Sequence, residues 1–524
     1  MQSLRIEELS VEQKIGQMLL MRNPISQEDF EFVMELVKNK SLGGIHISHK
    51  YVKDDYFVSS EKVFLEKILE TADYPILICE DMEYGFPKSE VSLPYQMALG
   101  SANSEELCYE YGRITAIEAK RAGYNTVFGP IVDIAMNPNS CCVGSRAFGG
   151  TKEIVAKMAA AVIRGYQDQG MIVTAKHFPG FGESAVDNHI GMVYLEGDEQ
   201  LLIEREIYPY LYAMKNADLS GIMMGHIMVP KVDPVYPASI SPKMIDLLRK
   251  IGYNDLIMTD SLAMIGMTNM FPLGECHKLA MKAGNDMVMT SYRTGAKEAY
   301  GYMLEAYREG MVTEEQITSA VGRVIKAQNR TLKKAEQAEI TAREIEATRQ
   351  MAEKSIAVQL NGVDSPVIDT CKKHLFIIQE GIVYKDPYNG KIKEDSCEVA
   401  IAAEVLKEKF PNSVFITIPE FPAKPQLEHV LMQTLQYDSV VMVLANKSVS
   451  YTGSSDATKR MVSVMDGLRE KLSAVVLFGC PYAAREFGTL KRIIYGFDGK
   501  QGQRYAALTL AGEHQAQGKL PVSF

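Results

Sequence analysis

Tryptophan is absent from the 524 residues. Any ligand gripped by ring stacking must rely on other side chains, and the 29 methionines can fill some of those apolar roles. No run of about 18 apolar residues occurs, so no membrane span is expected. Near the start, the apolar piece Ile15–Met21 is too short and too interrupted to serve as a secretory h-region. None of the eight cysteines (79, 108, 141, 142, 276, 371, 397, 480) forms a C-x-x-C pair, and Cys141 and Cys142 are adjacent. They read as free thiols, mostly in cores, in a reducing compartment, and a cytoplasmic protein is expected. A basic surplus is also missing. Lys plus Arg number 56 against 66 Asp plus Glu, a formal charge of -10, which argues against nucleic acid as the main partner. What is present is 46% hydrophobic and 23% charged residues, enough apolar material for two or three folded domains.

Short apolar, β-branched runs alternate with longer amphipathic ones over the first 330 or so residues. Candidate strands are Gly44–Ser48, Pro75–Glu80, Thr126–Gly129, Ile172–Lys176, Gly221–Gly225, Leu256–Thr259 and Asp286–Met289, with helical patterns such as Ser104–Ala122, Lys152–Gln167 and Glu199–Lys215 between them. The alternation predicts parallel β/α units. Seven or eight units favour a TIM-type (β/α)8 barrel over an open sheet. The charged, Ala/Glu-rich stretch Lys333–Ser355 reads as a solvated helical linker. Strand candidates resume at His374–Ile378, Ser413–Ile418, Ser439–Leu444, Ala474–Phe478 and Ile493–Tyr495. The expected organisation is a barrel over 1–330, a linker over 331–355, and a smaller α/β sandwich domain over 356–524.

In such barrels the reactive groups sit at the C-terminal ends of the strands. Glu80-Asp81, Asp133, Lys176-His177, His226 and Asp260 each follow an apolar run. Counted from Asp81, they recur at intervals of 34 to 52 residues. Each interval is about one β/α unit, so these side chains can converge on one mouth. Any one alone reads as a cap or loop residue, but five in sequence are a pattern.

The loop after the fourth of these candidate strands, KHFPGFGESAVDNHIGM (176–192), is rich in turn residues. Asp187 and His189 lie two apart. An Asp so placed can hydrogen-bond the imidazole, fixing its tautomer and stabilising the imidazolium. A surface Asx-turn with an incidental histidine fits the spacing as well. Asp260, in LIMTDSLAM, is either a helix N-cap or a carboxylate at the barrel mouth. Beside a His–Asp pair such a carboxylate can attack an anomeric carbon and form a covalent glycosyl-enzyme. The histidine would then protonate the leaving oxygen and later deprotonate the acceptor.

The segments KIGQML, GPIVDIAMNPN, GSRAFG, KHFPGFG…DNH, IMMGHIMVP, PASISPKMI and MTDSLAM resemble glycoside hydrolase family 3, in its β-N-acetylglucosaminidase branch. The resemblance covers roughly residues 5–330. The close at Gly518–Val522 is similar to that of two-domain members. It implies a retaining exo-β-N-acetylglucosaminidase in which Asp260 is the nucleophile, His189 the acid/base and Asp187 its partner. It further implies that Lys176, His177, Arg146 and Asp81 bind the terminal sugar, with Asp133 and His226 also in matched motifs, and that no cofactor or metal is needed. Three departures stand out. The family's D-Q-E-G-G-R is Asp81-Met82-Glu83-Tyr84-Gly85-Phe86 here, so the usual Arg is missing and sugar specificity is open. Phe181 replaces a second histidine. Asn188 stands inside the D-x-H.

An imidazole base, unlike a carboxylate, does not repel an anionic acceptor, so a β-N-acetylglucosaminide phosphorylase is an alternative to the hydrolase. His46, His49, Lys176, His226 and Asp260 superficially suit a metal-dependent amidohydrolase, although H-x-x-H is looser than the H-x-H such enzymes need. A sugar-binding protein without catalysis is a third reading. The expected partner is a small molecule or oligosaccharide ending in N-acetylhexosamine, such as a muropeptide fragment or a chitobiose-like oligosaccharide. The second domain can complete the pocket or mediate a homodimer.

Overall fold

The computed structural model describes residues 2–47, 61–140, 143–290, 294–333, 339–385, 391–395, 399–446, 457–497 and 499–523. Eight parallel runs make a closed barrel. The strands Val288–Met289, Leu19–Arg22, Gly44–His46, Leu77–Asp81, Thr126–Phe128 and Ile172–Val173 pair in that order. The fifth run resumes as Ala175–Phe178, which pairs with Gly221–Met224, and that strand pairs with Leu256–Thr259. A parallel bridge between Met258 and Met287 closes the ring. The second sheet has six strands and helices on both faces. Alternate residues of Leu375–Gln379 point to opposite cores, Leu375 and Ile377 to one, Phe376 and Ile378 to the other.

Local chemistry explains the elements. Ser104, Thr151 and Ser241 cap the helices Glu105–Arg121, Lys152–Asp168 and Pro242–Lys250 by accepting from backbone amides in their first turns. Inside the barrel Leu20, Leu77, Cys79, Phe128, Met223, Met258, Met287 and Met289 pack together, so methionine fills much of this interior. Of the five cysteines among the described residues, Cys79, Cys108, Cys276 and Cys480 are buried and Cys371 is exposed. Cys141, Cys142 and Cys397 lie outside the described residues. No helix among those residues is long and apolar enough to cross a membrane.

Three expectations need correction. The first barrel strand, Leu19–Arg22, is one the sequence pattern does not announce. It follows the helix Val11–Gln17 after a single residue, and Leu-Leu-Met carries helical rather than strand propensity, which barrel packing overrides. Every later strand therefore moves up by one: Lys176 lies on the fifth, His226 follows the sixth and Asp260 the seventh. The pattern Glu199–Lys215 splits into Glu199–Glu204 and Tyr208–Ala217, with Pro209 at the start of the second helix. The stretch read as a solvated linker contains a packed helix, Ala342–Ser355, whose Glu344 and Met351 are buried. Glu344 pairs with Arg113 of the barrel helix Glu105–Arg121. Ser101 Oγ donates to Ser355 O at 2.7 Å at the other end. Charge density alone did not separate a solvated face from one that ion-pairs across an interface.

Candidate active site

Four charged side chains form the floor of the barrel mouth. Asp81 ends its strand and accepts from Lys176 Nζ at 2.6 Å. The same ammonium lies 3.0 Å from Glu83 Oε1. Arg146 holds both oxygens of Glu83, Nε to Oε2 at 2.7 Å and Nη2 to Oε1 at 2.8 Å. Two cations thus face two anions. Burial lowers the Lys176 pKa, but Asp81 and Glu83 outweigh burial and the opposing Arg146, so its net shift is upward. The sequence reading brought Asp81, Arg146 and Lys176 to one mouth but gave Glu83 no role. The signal was available, since two cations at one mouth need more than one anion.

Asp133 and His226 are placed differently from a sugar contact. Asp133 Oδ2 accepts from His177 Nδ1 at 2.9 Å, while its Oδ1 accepts the Phe181 amide at 3.0 Å. Its carboxylate is therefore occupied with holding His177 and the start of the 180s loop. His226 Nε2 donates to Ser261 O at 2.8 Å, so Nδ1 accepts from Ser239 Oγ at 2.7 Å. Burial lowers its pKa, which keeps the ring neutral. Both His226 nitrogens and both Asp133 oxygens thus have partners inside the protein, among residues that line the mouth.

Asp260 follows the strand Leu256–Thr259 and is not a helix cap, because the next helix, Ile265–Thr268, is preceded by Met264 without a side-chain cap. Its Oδ1 accepts the Ser261 amide at 2.6 Å. Burial raises its pKa. The fields of His177 and His226, the Ser261 bond and Lys176 together outweigh that and hold it below the ordinary carboxylate value. Thr259 pairs with Met224, and Met224 with Phe178, so Asp260 leaves the barrel at the same end as Lys176, His177 and His226.

The loop dyad forms. Asp187 Oδ1 accepts both the His189 amide at 2.9 Å and Nδ1 at 2.8 Å. The Asx-turn and the triad-like pair are thus one structure. Asp187 is buried with a side-chain exposure of 1%, and His189 is at 22%. The loop reaches Asp260's neighbourhood. A Cβ on Gly266 would sit 2.5 Å from Gly191 O and 3.0 Å from Asn188 O, so the loop packs on the short helix Ile265–Thr268 that follows Asp260. His189 also contributes to the field at His226.

His46 is 1% exposed, and both ring nitrogens lack a hydrogen bond. Its Nε2 is 3.5 Å from Glu80 and 3.7 Å from Asp81. One donor atom from each of the three lies within 4.8 Å of the others. The donor set does not suit a cation: Lys176 already neutralises Asp81, and Arg22 adds positive field at His46. These ligand types also do not join Lys176, His226 and Asp260 in the grouping an amidohydrolase would require. His49 lies outside the described residues.

Residues 10–327 match the Glycosyl hydrolase family 3 N terminal domain. The chain belongs to glycosyl hydrolase family 3. Among its relatives, a β-N-acetylglucosaminidase/β-glucosidase of Cellulomonas fimi is 27% identical over 338 residues, covering 61% of this chain and 57% of that one. A β-hexosaminidase of Nitrosomonas eutropha is 31% identical over 227 residues, 41% of this chain and 64% of that one. The alignments with these two thus span less than two thirds of the relatives' lengths. The structure of a family 3 β-N-acetylglucosaminidase from Paenibacillus sp. str. FPU-7 superposes with a TM-score of 0.82 at 25% identity, covering 98% of this chain and 99% of that one. The barrel-plus-second-domain fold is therefore that of a known two-part architecture.

Proposed function

We propose that this protein is a retaining exo-β-N-acetylglucosaminidase acting on small molecules or oligosaccharides that end in β-linked N-acetylglucosamine. The observation that carries the reading is a carboxylate held ionised at 260, with the Asp187–His189 loop packed on the short helix Ile265–Thr268 that follows it. Beta-hexosaminidases among the curated relatives, and the β-N-acetylglucosaminidase of matching architecture, support the same sugar.

In the first step Asp260 attacks the anomeric carbon while protonated His189 gives its proton to the glycosidic oxygen, and the aglycone leaves. The Asp187 bond fixes the proton on Nδ1, so Nε2 is the nitrogen that exchanges one. In the second step neutral His189 takes a proton from water, whose oxygen bonds to the anomeric carbon as Asp260 departs. Lys176, Asp81 and Arg146 bind ring hydroxyls, and His177, oriented by Asp133, completes that floor. Phe86, where the family has arginine, is buried against Tyr124 and offers no hydrogen bond. A panel of nitrophenyl glycosides tests the reading. Hydrolysis of the β-N-acetylglucosaminide with retained configuration is expected, and turnover confined to glucosides or α-linkages would refute it.

Phosphorolysis is the second reading, favoured by the imidazole in the base position. A neutral base tolerates an incoming phosphate dianion. Accumulation of the sugar 1-phosphate in phosphate buffer would replace hydrolysis with this reaction.

A further inference from the structure

The segment Asp133–Asn137 lies between the catalytic loop and the second domain. On the loop side, Gly182 O accepts the Asn137 amide at 3.0 Å and Glu183 O accepts Asn137 Nδ2 at 2.8 Å. The approach is so close that a Cβ at Gly182 would sit 2.2 Å from Ile134 O. On the other side, buried Tyr482 of the second domain donates its hydroxyl to Ala135 O at 2.5 Å. The Ala135 amide donates to Gly149 O at 2.9 Å, and the Gly150 amide donates to Pro521 O, also at 2.9 Å. The second domain therefore holds this segment directly at Ala135 and, through Gly149-Gly150, indirectly from Pro521.

Tyr482 is aimed deliberately. Its strand Leu472–Gly479 ends at Gly479, with φ of 83° and no room for a side chain, since a Cβ would fall 1.6 Å from Asn446 O. The chain then turns into Pro481–Phe487, which delivers the phenol to the barrel. From Tyr482 to His189 the path runs Ala135, Asn137, Glu183, with Ser184 Oγ then accepting the Val186 amide at 3.0 Å just ahead of Asp187.

We propose that Tyr482 is a positioning residue for the proton donor: through Asp133–Asn137 the second domain sets the seat of the loop that carries Asp187 and His189. This rests on the reading of His189 as acid/base. The role assigned to the second domain is then neither a sugar contact nor a dimer surface but control of the loop's resting geometry. A misplaced donor matters only where the leaving group needs a proton, and that gives the device a signature a plain stability contact lacks.

The test uses the full-length enzyme and aryl β-N-acetylglucosaminides ranging from dinitrophenyl to unsubstituted phenyl, with kcat/KM reporting the first step. Tyr482→Phe is expected to leave dinitrophenyl cleavage nearly unchanged and to slow the phenyl substrate by about 3- to 10-fold, the net worth of one hydrogen bond. Asn137→Ala, which cuts the same path on the barrel side, should show the same steepening, and it carries the test if Tyr482→Phe does not fold. In a His189→Ala background neither change should add to the loss. A loss equal across all leaving groups, no loss in a folded variant, or additive effects in the double variants would overturn the proposal. If His189→Ala itself shows no dependence on the leaving group, the acid/base reading fails and takes this inference with it.

Discussion

The floor of the barrel mouth and the loop above it solve different problems. The floor sits on strand ends and is tied by ion pairs. Lys176 is 4% exposed with two carboxylates on its ammonium, and Glu83 is gripped at both oxygens by Arg146. The loop is held by backbone amides at its root, and its tip leaves Val186 and Ile190 about two-fifths exposed on either side of the dyad. On the proposed function, ring recognition takes its fixed geometry from regular structure, and proton delivery is assigned to a loop outside the regular elements. The lesson is that charge is spent where rigidity is wanted.

The comparison breaks first at Asp260, which leaves the barrel at the same end as the floor yet is the residue proposed to carry the covalent step. Asp260→Ala should cut turnover by on the order of 10⁴-fold or more while the fold survives, measured as kcat on the nitrophenyl β-N-acetylglucosaminide. Near-normal rates would remove the nucleophile assignment. His189→Ala on the loop should cost less, about 10²- to 10³-fold on poor leaving groups. For activated aryl substrates kcat/KM should hold while the glycosyl-enzyme accumulates. Added azide, which needs no base, should restore kcat. Failure of azide to rescue would separate His189 from the second step.

Glu83→Gln probes the floor alone. It keeps the shape but removes one anion from between two cations, so Arg146 and Lys176 repel each other. Sugar binding should weaken with KM rising about 10-fold, on the order of the 1–2 kcal/mol expected when a partly buried ion pair loses a partner, and leaving-group dependence should stay flat. A steeper dependence would show that floor and loop are coupled and that the division drawn above is wrong.

How much of this was legible beforehand depends on what each residue answers to. The strand-end series Asp81, Asp133, Lys176, His226 and Asp260 could be read because barrel topology puts about one β/α unit of chain between successive strand ends at one mouth. The Asp187–His189 pair could be read because an Asx geometry over two residues is local. The strand Leu19–Arg22 was hidden because its residues favour a helix and only Met18 separates it from one. Glu83 and the inward duty of His226 were hidden because hydrogen-bond satisfaction is a three-dimensional matter: Ser239 and Ser261 lie 13 and 35 residues from His226. The packed face of Ala342–Ser355 depended on Arg113, more than two hundred residues away.

The smallest expected effect sharpens the same division through stability. His46 and His226 on the floor, and His277 in the helix Leu273–Ala283, are all held below the ordinary value of 6.5, in each case chiefly by burial. Their unfolded forms take up protons near 6.5 while the folded forms stay neutral. The unfolded chain therefore binds more protons below that pH, and stability falls as pH drops from 6.5 towards the folded values, by about 1.4 kcal/mol per pH unit for each histidine. Asp260, whose folded pKa is depressed, acts in a separate and lower window: its stabilisation is present above 3.8 and is lost as pH falls through the folded value. Urea unfolding between pH 7.5 and 5.5 should show the histidine slope. His514, half-buried, is likewise held below 6.5 chiefly by burial, so His46→Leu should remove about a quarter of the slope, because an apolar side chain at that site has no proton to refuse. If the slope survives His46→Leu undiminished, His46 is charged in the folded protein, and the floor is held by one more ion pair than the geometry assigns to it.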